Sequence, residues 1–532
     1  MQGCSSPLAS TTLPRLVRAA AQRWPGASAV EDGAQALSFA DLGEAGLRAA
    51  RALLACGLER GDRAAIWAPN LAEWIVAAIG IHSAGGVLVP LNTRFKGAEA
   101  GYVLRRSGAR ILFTVAEFLG TKYVELVAGE DLPALERIVT LRGEASGATP
   151  WKDFLGLADG VGQAEALARA EAVSPDDLCD LLFTSGTTGK PKGVMTTHAQ
   201  NLRTFASWSE IVGLREGDRY LVVNPFFHSF GYKAGWMAAL LRGATVLPHA
   251  VFDPAAVLAR IEKEHVSFLP GPPTLYQSLL AHPDRRRYDL SSLRLAATGA
   301  AVIPVELVRR MREELGFETV VTAYGLTESC GVVTMCRPGD DPETVATTSG
   351  RAIPDVEVRC VEPSGREVPR GEAGEVVVRG YNVMKGYFDD AEETQKAIDA
   401  EGWLHTGDVG VMDARGNLRI TDRIKDMFIV GGFNCYPAEI EGLMYGLPGL
   451  AQVAVVGVPD ERLGEVGAAF VVPAPGAQLT PDGVIAWCRD HMANYKVPRR
   501  VEIVGALPIN ASGKIMRFVL REEAMGLQPT PS

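Results

Sequence analysis

The 532-residue sequence has no C-x-x-C pair. Its eight cysteines stand apart at positions 4, 56, 179, 330, 336, 360, 435 and 488, and its eight histidines form no ligand-like group. This spacing argues against the common zinc frameworks and predicts reduced thiols in a cytoplasmic chain. No lysine–arginine block overrides the formal net charge of −10, so nucleic acid is not an expected partner. The opening "MQGCSSPLASTTLP" carries Cys4 but no apolar segment, and neither a signal peptide nor a lipoprotein anchor is expected. The apolar stretch from Ile75 to Pro90 is interrupted by His82, Gly85 and Gly86. It is too short to span a bilayer and predicts a buried helix followed by a strand. Internal repeats and low-complexity blocks are also missing.

What remains is an ordinary globular balance, 47% hydrophobic and 22% charged, in a chain too long for one core. Helical and strand patterns alternate. Asp41 to Cys56 reads as a helix, Arg63 to Trp67 as a strand, Leu71 to Ala84 as a helix and Val87 to Val89 as a strand. Such alternation predicts an α/β fold of helix-covered sheets. The less patterned stretch from Ala128 to Ala172 reads as surface connection. Beyond about residue 400 the chain becomes denser in charge and glycine. A boundary falls at "DRIK" (422–425), giving a large N-terminal domain (1–424) and a small mobile α+β domain (425–532).

"TSGTTGKPKG" (184–193) gathers four hydroxyls, three glycines and two lysines in ten positions. It lacks the P-loop spacing, since Gly186 and Gly189 are three apart and Pro191 follows Lys190. A solvated turn and a phosphate cradle both fit this composition. The rest of the chain favours the cradle. "DLLF" (180–183) runs into this loop, "LRLAA" (293–297) into "TGAA" with Pro304 near the first turn of a following helix, and "ETVVT" (318–322) into "AYGLTE". Ligands of open α/β sheets collect beyond the carboxyl ends of strands.

"TSGTTGKPKG", "YGLTE" (324–328), "TGD" (406–408), "DRIKD" (422–426) and "SGK" (512–514) occur in the order and rough spacing of the adenylate-forming superfamily, which the chain resembles over essentially its whole length. That superfamily includes acyl-CoA synthetases, peptide-synthetase adenylation domains and firefly luciferase. The resemblance implies ATP, Mg²⁺ and CoA. It implies that the phosphates are held by Thr184, Ser185, Gly186, Thr187, Thr188, Gly189 and Lys192, and that Tyr324 stacks on the adenine. Gly299, Ala300, Ala301, Ala323, Gly325 and Ile420 would complete the nucleotide site. Asp408, assisted by Arg423, would take the ribose hydroxyls. Thr327 would touch the α-phosphate, Glu328 and Thr184 would ligate Mg²⁺, and Lys514 would be the catalytic lysine. Lys425 would be the hinge, and Gly431, Gly432 and Phe433 would line the CoA tunnel.

"NPFFHSFGYKAG" (224–235) and "LPGPPTLYQSLL" (269–280) resemble the steroid-degrading branch, whose members activate a bicyclic indanedione propanoate. His228 would gate the acyl pocket, with Phe226, Phe227, Phe230, Gly231 and Lys233 along it. For Lys233, two readings stand: a hydrogen bond to the distal part of the substrate, or a lysine that snorkels to the surface. The leading function is an acyl-CoA ligase acting on a bulky polycyclic carboxylate. Alternatives are an adenylating enzyme that loads a separate carrier, a fatty- or aryl-acid ligase, a luciferase-like oxygenase and a nucleotide-binding regulator. The resemblance also allows a homodimer. Only 18 residues follow Lys514, so no fused carrier domain is expected.

Overall fold

Ser38 starts the helix Phe39–Ala55. Its hydroxyl accepts from the Asp41 amide at 3.1 Å, and the Asp41 carboxylate accepts from the Ser38 amide at 3.0 Å. This reciprocal cap satisfies donors that the first helical turn leaves unpaired. The next helix, Ala72–Ser83, is buried on all sides. The two approach closely because Gly46 faces Ile79 and Gly80 faces Ala49; a Cβ at Gly80 would lie 2.6 Å from that of Ala49. The apolar stretch at 75–90 is therefore a core helix and the strand Val87–Pro90. Among the described residues, no helix is long and apolar enough to cross a membrane.

The computed structural model describes residues 12–184, 191–299, 303–423, 426–430, 433–509 and 515–526; at 422, 423, 433 and 434 it describes backbone alone. One eight-stranded sheet runs in the order Gly386–Tyr387, Lys192–Thr197, Leu178–Thr184, Val87–Pro90, Arg63–Trp67, Ile111–Thr114, Arg137–Thr140, Thr149–Pro150. From Leu178–Thr184 onward its neighbours are parallel. Gln35–Ser38, Ser28–Asp32, Thr245–Pro248 and Arg219–Val222 form a second row. Bridges at Phe268 join that row to Leu295–Gly299, Thr319–Tyr324, Thr334–Met335 and Arg351–Ala352. A third sheet is antiparallel: Val356–Val361, Ala373–Gly380, Leu404–Met412 and Leu418–Arg423. One hydrophobic core extends from Leu13 to Leu418.

Two separate hydrophobic clusters serve the C-terminal residues, one spanning Phe428 to Val501 and one spanning Ala454 to Leu520. They fill a five-stranded sheet built on Leu450–Asp460 and Gly464–Pro473, with helices Pro437–Met444, Pro481–His491 and Arg517–Ala524. The fold is mixed α/β, a large N-terminal part followed by a small α+β part.

One local expectation needs correction. The stretch 128–172 is more than connection: Arg137–Thr140 and Thr149–Pro150 extend the large sheet, and Phe154 and Ala158 are fully buried. Its apolar residues are as frequent as in the whole chain, but its elements are too short to show a clear period. Pro304 is the N-cap of the helix Val305–Glu314, near its first turn as expected.

Candidate active site

Leu295–Gly299 and Thr319–Tyr324 lie side by side in parallel, with Gly299 opposite Ala323. Gly299 has no room for a side chain, since a Cβ there would stand 2.8 Å from the Ala323 carbonyl oxygen. Ala300 and Ala301 fall outside the described residues. After Tyr324 the chain turns back so tightly that a Cβ on Gly325 would lie 2.3 Å from the Gly331 carbonyl oxygen. Glycine is the residue that permits this return. The turn presents Thr327 and Glu328 on one short helical turn, Thr327–Ser329.

The Tyr324 hydroxyl donates to Asp408 Oδ2 at 2.6 Å. Asp408 is 3% exposed, on the strand Leu404–Met412, and its backbone pairs with Arg423. The expected adenine-stacking residue and the expected ribose acceptor, 84 positions apart, are thus in direct contact. Ile420 is half-buried on the adjacent strand.

Two residues that sequence reasoning missed join this wall. The Tyr387 hydroxyl donates to Glu328 Oε1 at 3.0 Å, and Glu393 Oε2 accepts from Lys192 Nζ at 2.6 Å. Lys192 also sits 4.5 Å over the Tyr387 ring. Nothing in "GYFDDAEET" marks Tyr387 or Glu393 as site residues, because their partners are 59 and 201 positions away. Thr184 ends the strand opposite Lys192. Ser185, Gly186, Thr187, Thr188 and Gly189 lie outside the described residues. Glu328 and Thr184 offer hard oxygen donors, the chemistry Mg²⁺ requires.

The acyl segment departs from expectation. Phe226 is fully buried: its ring packs on Trp74 with centroids 5.5 Å apart, and its amide donates to Asn70 Oδ1 at 2.7 Å. It belongs to the core, as does the fully buried Tyr232. Gly231 is wedged against backbone, with the Pro225 and Asn224 carbonyl oxygens 2.2 and 2.3 Å from where a Cβ would be. Phe227 and Phe230 are half-buried and remain as pocket-wall candidates. His228 is exposed, its Nδ1 accepts from the Phe230 amide at 3.2 Å, and desolvation of the ring lowers its pKa to about 4.

Lys233 neither reaches a pocket nor snorkels. It is 0% exposed, and its ammonium donates to Asp180 Oδ1 at 3.1 Å and Thr196 Oγ1 at 3.0 Å. Asn201 and Thr196 donate the other hydrogen bonds that Asp180 accepts, each at 2.7 Å. Asp180 was legible as an oddity, a charge within the apolar strand "LCDLLF".

Beside this pair, His82, Cys179 and His198 bring donor atoms within 4.8 Å of one another, a grouping that their scattered positions concealed. Protein groups already engage them. Tyr232 Oη lies 3.2 Å from His82 Nε2 and 3.5 Å from Cys179 Sγ, and the Leu13 amide donates to His198 Nδ1 at 3.3 Å. Burial, then the neighbouring His198 and Lys233, lowers the His82 pKa, and the Lys233 cation would oppose a metal ion there. The group is a core network.

On the C-terminal part, Lys514, Lys425, Gly431 and Gly432 lie outside the described residues. The backbone at Phe433 pairs with Val430 in an antiparallel hairpin. Arg517 Nη2 donates to both carboxylate oxygens of the buried Glu441, at 2.7 Å each.

The sequence profile of AMP-binding enzymes matches residues 17–388, and that of the AMP-binding enzyme C-terminal domain matches 439–514. A methyl-dioxo-octahydroindenyl-propanoyl:CoA ligase from Rhodococcus jostii is 52% identical over 96% of this chain and 99% of its own. The ligase of the same name from Mycobacterium tuberculosis is 53% identical over 91% of this chain and 93% of its own. Among solved structures, the anthranilate CoA ligase AuaEII in complex with anthranoyl-AMP superposes with a TM-score of 0.87. It is 28% identical and covers 99% of this chain and 100% of that one.

Proposed function

We propose that this chain, which belongs to the AMP-binding enzyme family, is an AMP-forming acyl-CoA ligase that activates a steroid-derived bicyclic propanoate. The indanedione-type substrate is supported by two relatives that name it, at 52% and 53% identity over nearly their whole lengths. The observation that carries the adenylation chemistry is the convergence of Tyr324, Asp408 and Glu328 around the returning turn at Gly325.

The acid needs no general base. A carboxylate with an ordinary pKa near 4 is ionised at neutral pH and is already a nucleophile. What opposes its attack on the α-phosphorus is charge. Mg²⁺ held by Glu328 and Thr184 would supply neutralisation of the phosphates. Lys514 adds a positive charge where the pyrophosphate departs, and Thr327 meets the α-phosphate. Tyr324 and Asp408 orient the nucleoside, and neutral His228 stands at the acyl pocket with Phe227 and Phe230. The CoA thiol then attacks the acyl carbon, and AMP leaves. We place the domain boundary at 424/425, with Lys425 as the hinge, and Gly431, Gly432 and Phe433 along the thiol path. The cytoplasm suits the reduced thiols.

The test is a pyrophosphate-release assay across acids, with CoA-thioester detection. The bicyclic dioxo-indenyl propanoate should show a higher kcat/KM than octanoate or palmitate. A higher value for either straight chain would overturn the substrate assignment.

A further inference from the structure

Lys192 is expected to meet the ATP phosphates, yet a carboxylate already holds it. Glu393 Oε2 accepts from Lys192 Nζ at 2.6 Å, bridging the hairpin strand Lys192–Thr197 to the helix Ala391–Ala397. We propose that Glu393 is a resident counter-anion for Lys192, occupying its ammonium until the phosphates of ATP displace it and recapturing it as pyrophosphate leaves. This rests on the adenylation reading above and names a further positioning residue for that reaction.

Three features make the exchange workable. The first is that Glu393 has a second partner: its other oxygen, Oε1, accepts from Lys396 Nζ at 2.8 Å. When Lys192 turns to a phosphate, Lys396 remains and no carboxylate is left bare. The second is access to the contact. The side chains keep 14% and 24% of their surface exposed, so the pair is not sealed from solvent. A triphosphate brings several negative charges against the single charge of the carboxylate, so Coulomb attraction favours it at the same ammonium. The third is the Tyr387 ring, 4.5 Å beneath the ammonium, which stays in place whichever anion is bound. The same Tyr387 donates to Glu328, so one short stretch of chain touches both the phosphate lysine and the expected metal carboxylate. Hydrogen bonds from Lys192 and Lys396 hold the Glu393 pKa down to about 2, so the counter-anion is charged at every working pH.

A competitor and an anchor predict opposite signs. If Glu393 competes with phosphate, Glu393→Gln lowers KM for ATP, and KM for pyrophosphate in acid-dependent ATP–pyrophosphate exchange, by about two- to five-fold, the scale of a partly exposed ion pair. If Glu393 merely anchors Lys192, the same variant raises both constants. Glu392→Gln serves as the control, because Glu392 is 81% exposed and, among the described residues, pairs with Lys396. In a Lys192→Ala background, Glu393→Gln should change neither constant, since the two residues act through one contact. Lowered constants that vanish in that background support the proposal; raised or unchanged constants overturn it. Wild-type enzyme that shows no acid-dependent exchange would instead overturn the adenylation reading beneath it, and the two failures are distinguishable.

Discussion

Lys514→Ala should slow acyl-adenylate formation on the order of 10²–10³-fold, the usual loss when one preorganised group facing developing charge is removed. Thioester formation from supplied acyl-adenylate should stay close to the wild-type rate. The asymmetry follows from charge. Adenylation brings a carboxylate to a phosphate and expels pyrophosphate, whereas thiol attack on an acyl carbon releases AMP without meeting a triphosphate. Three residues after Lys514 in the sequence, Arg517 donates to both carboxylate oxygens of the buried Glu441. Under the two-pose account, the C-terminal part presents Lys514 for the first step and swings at Lys425 for the second. Lys425→Pro should then spare adenylation and block thioester formation, because proline fixes φ. Assaying the half-reactions separately checks both variants. Parallel loss of both steps in both would mean one static site.

Lys233→Met should cost about 3–5 kcal/mol of stability, because it leaves the Asp180 charge in the core without its counter-ion. Asp180 and Lys233 are each 0% exposed, so water cannot take the ion's place without opening the fold. Lys233→Met combined with Asp180→Asn removes both charges and should recover most of the loss, with the Asn201 and Thr196 contacts partly kept. Urea unfolding followed by tryptophan fluorescence measures both. A single variant as stable as wild type would contradict the buried pair. A lysine that hydrogen-bonds substrate would instead raise KM and leave unfolding unchanged.

That lysine also shows where the sequence stops being legible. An ammonium among "FFHSFGYKAG" looks like a pocket charge because the string contains no anion. Its partner lies 53 positions earlier, on a strand, and only the packed fold brings the two together. Phe226 misled for a related reason. The segment before the short helix Ser229–Gly231 has no helical or strand period, so nothing in it says which aromatic faces inward; the bond from its amide to Asn70 spans 156 positions. The regular elements were plain. Arg63–Trp67 has the expected limits, and the helix Phe39–Ala55 starts two residues early because Ser38 with Asp41 supplies a cap. The glycine of "YGLTE" was readable because it sits in a local string with a local cause, the blocked space at Gly325. Tyr387 and Glu393 were not, since their contacts with Glu328 and Lys192 reach across 59 and 201 positions.

The central claim is that the acid passes through an acyl-adenylate, and oxygen tracing tests it most directly. The bicyclic propanoate labelled with ¹⁸O in its carboxylate is turned over with ATP and CoA, and the released AMP is weighed by mass spectrometry. The carboxylate oxygen that attacks the α-phosphorus stays with the phosphate when CoA takes the acyl group. The account therefore predicts AMP carrying one ¹⁸O atom alongside the CoA thioester. Thioester formed with unlabelled AMP, or with the label in inorganic phosphate beside ADP, would contradict it.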